Sequence, residues 1–380
     1  MRRLAWVGVV GLLLAPTARA EAPKAALANY FPPPESQGGW RSLLPKTGEP
    51  GAEEKAALRA KAGVDWDKLK EAWQHAATAE GASGLLVIRK GHVVGEWYKD
   101  GNAAKTFNIY SSSKAYTSLA FGLALADSAA GKLPGGKKLT LDTKVCNKEW
   151  LPESLPLPDP RKAEITLREL LQMASGLGPE NVPGRAPFET ALGHTEGSPF
   201  AKLKADPGAK FFYSNAGVAH LVLVFHNATG QDLFPFLKER VFGPVGMERV
   251  SWLKIGGNGK IGPYCQGFSG VLTTPREHAR FCHLALHKGN WAGKQVVPAA
   301  HYDFAWTPSK ANKTYGAQWW LEPRHPGAPP DMIQTAGAFN NNGYVVPSLD
   351  LVFVRLGDGR QFPRDWEQAL VRKVLAAVGK

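Results

Sequence analysis

The spacing of apolar residues changes along the chain, and each change marks a predicted element. Near position 70 the apolar side chains recur every three or four residues, which predicts a helix over 65–79. Two apolar runs separated by Gly91 then predict a hairpin of strands over 84–90 and 92–98. An Ala- and Leu-rich stretch without proline predicts a helix over 111–125.

The middle of the chain has the pattern of helices and loops, and strand-like runs return near its end. Thr166 is followed three residues later by Glu169, a capping-box pattern that predicts a helix over 166–173. The other predicted elements are helices over 217–226, 232–242 and 365–377, and strands over 315–321, 332–338, 343–346 and 351–355.

Strand-rich sequence at both ends therefore encloses a helical middle. The simplest architecture is of the α+β class, an antiparallel sheet flanked by helices with an inserted all-α region. We expect an α/β part over about 62–130 and 271–380, and a helical part over about 131–270. Residues 21–61 are rich in Pro, Gly and Ala, which predicts an extended N-terminal arm.

The first twenty residues have the features of an export signal. Arg2 and Arg3 provide a positive start, and the apolar run over 4–14 is too short to span a membrane. The small-x-small pattern at 18–20 predicts cleavage after Ala20. The mature protein is expected to be exported, periplasmic or extracellular, and to have no transmembrane segment.

The charge of the chain is basic but scattered. The formal net charge is +13, and removal of three arginines with the predicted signal leaves +10. Lys and Arg residues form no run or helical stripe, so no nucleic-acid partner is predicted. A hydrophobic fraction of 44% with 21% charged residues is ordinary for a globular protein, and it predicts no particular oligomeric state.

Three cysteines, Cys146, Cys265 and Cys282, leave two alternatives open. Export makes a disulfide possible, with Cys265 and Cys282 as the closer pair in sequence, and buried thiols are the equal alternative. His278 with Cys282 and His283 with His287 form two pairs at i, i+4 on a predicted helix, but the two pairs point in different directions. No metal site and no cofactor are therefore predicted.

The first chemical candidate is the string Ser111-Ser112-Ser113-Lys114. A serine hydroxyl is a weak nucleophile until a neighbouring group takes its proton, and residues at i and i+3 share one face of a helix. Ser-x-x-Lys is weak evidence by itself, because Ser251 and Lys254 match it too and a helix cap would explain Ser111 equally well.

Two later strings add groups that such a nucleophile needs. In Tyr213-Ser214-Asn215 the phenol could accept a proton near a lysine and Asn215 could donate to a substrate, although a helix cap also explains this string. In Thr335-Ala336-Gly337-Ala338, Gly337 permits close approach, and the Ala338 N–H could pair with that of Ser111 as an oxyanion hole. A bulge at Gly337 is the alternative.

Further polar and aromatic residues flank these strings. The run at 340–342 is Asn-Asn-Asn, which suits either pocket amides or a polar turn. Trp319 and Trp320 suit either an apolar pocket or core packing.

The three strings, in this order, resemble the serine β-lactamase and penicillin-binding-protein superfamily. The class C-like branch, with its esterases, D-aminopeptidases and 6-aminohexanoate-dimer hydrolases, is most similar. The resemblance runs from about Gly84 to the C-terminus and includes the segments 165–177, 207–217, 270–276 and 346–352.

This resemblance implies a role for each site residue. Ser111 would be the acylated nucleophile, Lys114 and Tyr213 the proton-transfer pair, and Asn215 a polar partner. The oxyanion donors would be the N–H groups of Ser111 and Ala338, the latter next to Gly337. Which of the lysine and the tyrosine is the base stays open.

One departure from the family pattern affects the expected substrate. Thr335 and Ala336 stand where true β-lactamases have a lysine that helps to bind a substrate carboxylate. We therefore expect an exported serine hydrolase that cleaves a small-molecule or short-peptide ester or amide through an acyl-enzyme. The alternatives are a penicillin-interacting enzyme, either β-lactamase or D-Ala-D-Ala peptidase, and a catalytically idle envelope-binding protein on the same fold.

Overall fold

A six-stranded antiparallel sheet is the centre of the fold. The computed structural model of the protein describes residues 27–46, 48–182, 186–257, 259–321 and 324–379, so the predicted signal and its cleavage position lie outside the described residues. The strands are β1 (Ser83–Arg89), β2 (His92–Tyr98), β3 (Phe107–Asn108), β4 (Val250–Trp252), β5 (Lys254–Ile255), β6 (Tyr264–Cys265), β7 (Val271–Thr273), β8 (Asn290–Trp291), β9 (Lys294–Gln295), β10 (Trp320–Leu321), β11 (Ile333–Thr335), β12 (Asn342–Val346) and β13 (Leu351–Gly357).

Helices cover the sheet and fill the middle of the chain. A π-helix, Lys238–Phe242, continues α7. The α-helices are α1 (Ala52–Ala62), α2 (Trp66–Ala76), α3 (Ser113–Ala129), α4 (Leu167–Leu171), α5 (Pro187–Leu192), α6 (Asn215–Thr229), α7 (Leu233–Leu237), α8 (Gly243–Val245), α9 (Pro275–Leu286), α10 (Ala299–Ala305) and α11 (Trp366–Ala377). The predicted helices at 65–79, 111–125, 166–173, 217–226, 232–242 and 365–377 correspond to α2, α3, α4, α6, α7 with its π-helix, and α11.

The large sheet has the strand order β10-β11-β12-β13-β1-β2, and both of its faces are covered. Every residue of β1 and β13 is buried. Along β13, Leu351 and Phe353 pack in the cluster that contains α2 and α11, whereas Val352 and Val354 pack in the larger cluster on the other face. Burial on two faces explains why these strands are apolar almost without interruption.

The predicted hairpin of β1 and β2 is confirmed. Its turn at Lys90 and Gly91 has positive φ at both residues, 49° and 72°. A Cβ at Gly91 would overlap the carbonyl oxygen of Tyr30, so glycine is required where the N-terminal segment crosses the turn.

The N-terminal arm is bound to the domain, and its last part is helical. The fully buried Arg280 of α9 donates to the carbonyls of Pro32 and Pro33, at 2.8 and 2.6 Å, and to Glu35 at 2.8 Å. The prediction of an extended arm is wrong for α1, because the Glu54 carboxylate accepts the Gly51 N–H and the Ala-rich sequence favours a helix there.

The helical part also contains strands, which corrects the expectation of an all-α region. Strand β4 pairs with β7, which pairs with β3, and β5 pairs with β6. These strands have two or three residues each, too few for an alternating pattern to be recognised in the sequence. The predicted strand over 315–321 is reduced to β10, because Gln318 has a positive φ of 65°.

The three cysteines are buried thiols, and no disulfide joins them within the described chain. Of the two alternatives for the cysteines, the structure therefore supports buried thiols. In the described ranges no helix is both long and apolar enough to cross a membrane.

Candidate active site

Ser111 lies in a tight turn immediately before α3. The turn is a 3-10 helix, Tyr110–Ser112, and Tyr110 has a positive φ of 47°. The side-chain oxygen of Asn108 accepts the Tyr110 N–H at 2.8 Å and so supports this conformation. The predicted helix thus begins at Ser113 rather than Ser111, and the half-buried Ser111 hydroxyl lies one turn before Lys114.

Lys114 is 1% exposed and contacts the candidate nucleophile directly. Its Nζ lies 2.9 Å from Ser111 Oγ and 2.8 Å from the carbonyl oxygen of Phe268. Desolvation by burial lowers the pKa of Lys114 from 10.5 to about 7. The neutral amine, which has a lone pair for a proton, is therefore well populated near neutral pH.

Tyr213, two residues before α6, is the third member of this cluster. Its ring centroid lies 4.8 Å from Lys114 Nζ, and the Ser111 side chain is close enough to influence the pKa of its phenol. Burial raises the pKa of Tyr213 to about 12, against the opposing effects of the Ser111 hydroxyl and the Arg324 charge. The phenol is consequently protonated at neutral pH and can donate a proton.

The position of Tyr213 depends on the cap of α6. The Ser214 hydroxyl accepts the Gly217 N–H at 3.2 Å, as an N-cap does, and the Ser214 N–H points at Met173 Sδ. Both the capping interpretation and the site interpretation of this string are thus compatible, because different residues of the string serve each purpose.

Trp320 forms an aromatic wall beside Tyr213. Its ring stacks on Tyr213 with centroids 5.6 Å apart and an interplanar angle of 24°. The Arg324 guanidinium lies 4.7 Å from the Trp320 ring centroid. Trp319, by contrast, is buried in the core and stacks on Phe281, so core packing is the use that fits Trp319.

The third string packs against the turn that holds Ser111. A Cβ at Gly337 would overlap the carbonyl oxygen of Ile109, so close approach requires glycine here. The Ser112 hydroxyl donates to the Asn341 carbonyl at 2.6 Å and ties the two segments together. Among the described residues, the N–H groups of Ser111 and Ala338 have no hydrogen-bond acceptor.

Thr335 points away from the site. It is 1% exposed, and its Oγ1 lies 3.0 Å from His278 Nε2 and 3.1 Å from the Gly343 nitrogen. Where β-lactamases have a lysine, this chain therefore presents a neutral side chain that is engaged in the core.

The predicted site asparagines differ in their hydrogen bonding. Asn215 is the first residue of α6, and its buried Oδ1 has no hydrogen-bond partner within the described chain. Asn341 and Asn342 are buried, and they hold the turn by accepting the Gly357 and Gly337 N–H groups. The polar-turn interpretation is thus the one that fits residues 341–342.

The structure brings Ser111, Lys114 and Tyr213 together and places Gly337, which precedes Ala338, against Ile109, two residues before Ser111. Sequence reasoning missed the Phe268 carbonyl and Arg324. A backbone carbonyl has no residue-type signature, and the charge of Arg324 and its contact with Trp320 reach Tyr213 only in the folded chain. In the described ranges no group of His, Cys, Asp or Glu side chains could hold a metal ion.

Comparison with known proteins places this architecture in a class. The sheet, its helices and their order define a β-lactamase/transpeptidase-like fold, which confirms the expected fold class. The family model described as beta-lactamase matches residues 67–377. The chain belongs to the beta-lactamase family. No curated protein sequence matches the chain.

Solved structures agree on the fold. A proposed beta-lactamase from Bacteroides dorei is 17% identical with a TM-score of 0.64, over 83% of this chain and 98% of that one. A proposed 6-aminohexanoate-dimer hydrolase from Bacillus anthracis is 17% identical with a TM-score of 0.63, over 92% and 90% of the two chains. A family VIII carboxylesterase is 14% identical with a TM-score of 0.62, over 82% and 97%.

Proposed function

We propose that the protein is an exported serine hydrolase that cleaves an ester or amide through an acyl-enzyme on Ser111. The observation that carries the proposal is the contact between Ser111 Oγ and the buried Lys114 Nζ at 2.9 Å. Family membership and hydrolases among the structural neighbours support the class of reaction. The export part rests on the predicted signal over residues 1–20.

Acylation begins with the neutral Lys114 amine. The amine takes the Ser111 proton while Oγ attacks the substrate carbonyl carbon, and the carbonyl oxygen becomes an oxyanion facing the N–H groups of Ser111 and Ala338. When the intermediate collapses, the carbon–heteroatom bond breaks and the leaving group takes the Tyr213 proton. Lys114 then returns its proton to the phenolate, which leaves an acyl ester on Ser111.

Deacylation uses the same groups with water. Neutral Lys114 takes a proton from a water molecule, which attacks the acyl carbon. The second tetrahedral intermediate collapses with release of the carboxylic acid, and Ser111 recovers its proton from Lys114 by way of Tyr213.

The surroundings of Thr335 favour an ester or amide over a β-lactam. The side chain at this position is neutral, buried and hydrogen-bonded to His278, so it offers no cation for a substrate carboxylate. The Trp320 wall beside Tyr213 offers an apolar surface for an acyl or leaving group instead.

The test is a comparison of the wild-type protein with Ser111→Ala. We expect the wild type to be labelled by a fluorophosphonate and to hydrolyse short acyl nitrophenyl esters, and the variant to do neither while its thermal unfolding is nearly unchanged. Near-normal turnover by Ser111→Ala would refute the assignment. Ser112→Ala is not a suitable control because it breaks the Asn341 contact; Ser251→Ala is, since Ser251 is exposed in β4.

Two further assays separate the alternatives. Rapid turnover of a chromogenic cephalosporin, or stable labelling by a fluorescent penicillin, would favour a penicillin-interacting enzyme. Failure of the folded wild type to react with any fluorophosphonate, ester or amide would favour a catalytically idle binding protein.

A further inference from the structure

Glu367, in the first turn of α11, is the centre of a group of hydrogen-bonded polar side chains near the site. Its Oε1 accepts hydrogen bonds from Asn342 Nδ2 at 2.8 Å, Tyr344 Oη at 3.0 Å and Gln334 Nε2 at 3.1 Å. Its Oε2 lies 3.5 Å from Nη2 of Arg324. Two neighbouring strands of the sheet, β11 and β12, and Arg324 after β10 thus converge on one carboxylate.

One branch of this group of side chains reaches the backbone at Gly337 and Ala338, which we call the oxyanion turn. A carboxylate only accepts, so Asn342 must present its NH2 group to Glu367. The amide oxygen of Asn342 is thereby directed to the Gly337 N–H, at 2.9 Å. Gly337 immediately precedes Ala338, the proposed oxyanion donor, so Glu367 sets the orientation of the amide that holds this backbone.

The other branch reaches the phenol. The side chain of Arg324 is about one-third exposed, and Glu367 is its carboxylate partner within the described chain. The guanidinium lies over Trp320 at 4.7 Å, and Trp320 stacks on Tyr213. The orientation of Tyr213 therefore depends on a stack whose outer member is held by Glu367.

We propose that Glu367 is a positioning residue that joins the two sides of the site, the Gly337–Ala338 backbone through Asn342 and the Tyr213 phenol through Arg324 and Trp320. This inference rests on the proposed function, since it assigns the two branches to the oxyanion donor and the proton donor of that reaction.

Glu367→Gln separates the branches. The amide oxygen can keep the three hydrogen bonds from Asn342, Tyr344 and Gln334, which leaves the new NH2 group facing the Arg324 guanidinium. Two donors do not bond each other, so the Arg324 branch is lost while the Asn342 branch is kept. Glu367→Met removes both branches at similar volume.

The readout is the acylation rate per active site with two leaving groups, p-nitrophenol and ethanol, on the same acyl chain. Active sites are counted by fluorophosphonate titration, which corrects for unfolded protein. A displaced Tyr213 impairs protonation of the leaving group, which ethanol needs and nitrophenol hardly needs. We expect Glu367→Gln to slow the ethyl ester about 10- to 100-fold, the size of a lost charge-assisted contact, and the nitrophenyl ester much less.

Two comparisons complete the design. Arg324→Gln should give the same leaving-group dependence, and the double variant Glu367→Gln/Arg324→Gln should be no slower than either single variant. The matched control is Glu71→Gln. Glu71 is an exposed residue of α2 that forms an ion pair with Lys373 of α11, and the variant should behave as wild type.

The inference is overturned if Glu367→Gln leaves both rates per site unchanged, slows both esters equally, or adds fully to Arg324→Gln. Should Glu367→Met not fold, the Gln variants still decide. If the wild type itself neither reacts with fluorophosphonate nor hydrolyses either ester, the proposed function has failed, which differs from failure of this inference alone.

Discussion

The carbonyl oxygen of Phe268 lies 2.8 Å from Nζ of Lys114 and accepts one of its hydrogens. This contact orients the amine, because a neutral amine that donates to Phe268 can direct its lone pair at Ser111 Oγ, 2.9 Å away. The lysine, the proposed base, is thus held by a backbone group, and no carboxylate forms an ion pair with it in the described chain.

The first prediction concerns the pH dependence of acylation. Because burial lowers the pKa of Lys114 to about 7, the proton-accepting form increases as the pH rises through that value. We expect kcat/KM for a non-titrating ester to rise between pH 5 and 8 and then level off. Lys114→Arg should be nearly inactive throughout, since its guanidinium stays protonated. A wild-type profile that is flat from pH 5 to 9 would contradict this account.

The second prediction concerns stability. In the unfolded chain a lysine keeps a pKa near 10.5, so between pH 7 and 10.5 the unfolded state binds more protons and stability rises with pH. Below pH 7 the fold carries the full cost of the buried charge, on the order of a few kcal/mol. Lys114→Met should therefore raise the melting temperature at pH 6–7 and lose this advantage towards pH 10.5. Thermal denaturation at several pH values measures the difference in melting temperature between the variant and the wild type. A difference that does not change with pH would contradict this prediction.

The third prediction concerns the phenol. Tyr213→Phe keeps the stack on Trp320 and removes the hydroxyl proposed to exchange protons at Ser111. We expect acylation to slow by about 100-fold or more, the usual size of a lost proton-transfer group. Tyr315→Phe is the matched control, since Tyr315 packs edge-on against the same rings. An unaltered rate in Tyr213→Phe would assign all proton transfer to Lys114.

The fourth prediction concerns the oxyanion turn. Gly337→Ala places a methyl group against the Ile109 carbonyl, so the backbone must shift and take the Ala338 N–H with it. Acylation should slow by about 100-fold, the effect of losing one oxyanion donor. Gly51→Ala, at the start of α1, has room for a methyl group and serves as the control. Equal activity of the two variants would remove Ala338 from the proposed mechanism.

Local pattern was sufficient for many elements but not for all. The capping box of Thr166 and Glu169 forms as predicted around α4, because it depends on residues three positions apart. Strand β4 was not predicted, because its three residues are too few to show an alternating pattern. Helix α1 at the end of the arm was not predicted, because the composition was averaged over a long segment.

By itself, the sequence determined the α+β class, the hairpin at Gly91 and the three strings with a hydroxyl, an amine and a phenol, since residue types and short spacings are local properties. The tertiary structure alone decided that Thr335 turns into the core, that the Phe268 carbonyl orients Lys114 and that Trp320 rather than Trp319 borders Tyr213. These outcomes depend on which backbone atoms and ring faces meet after distant segments pack, and a residue's type does not encode them.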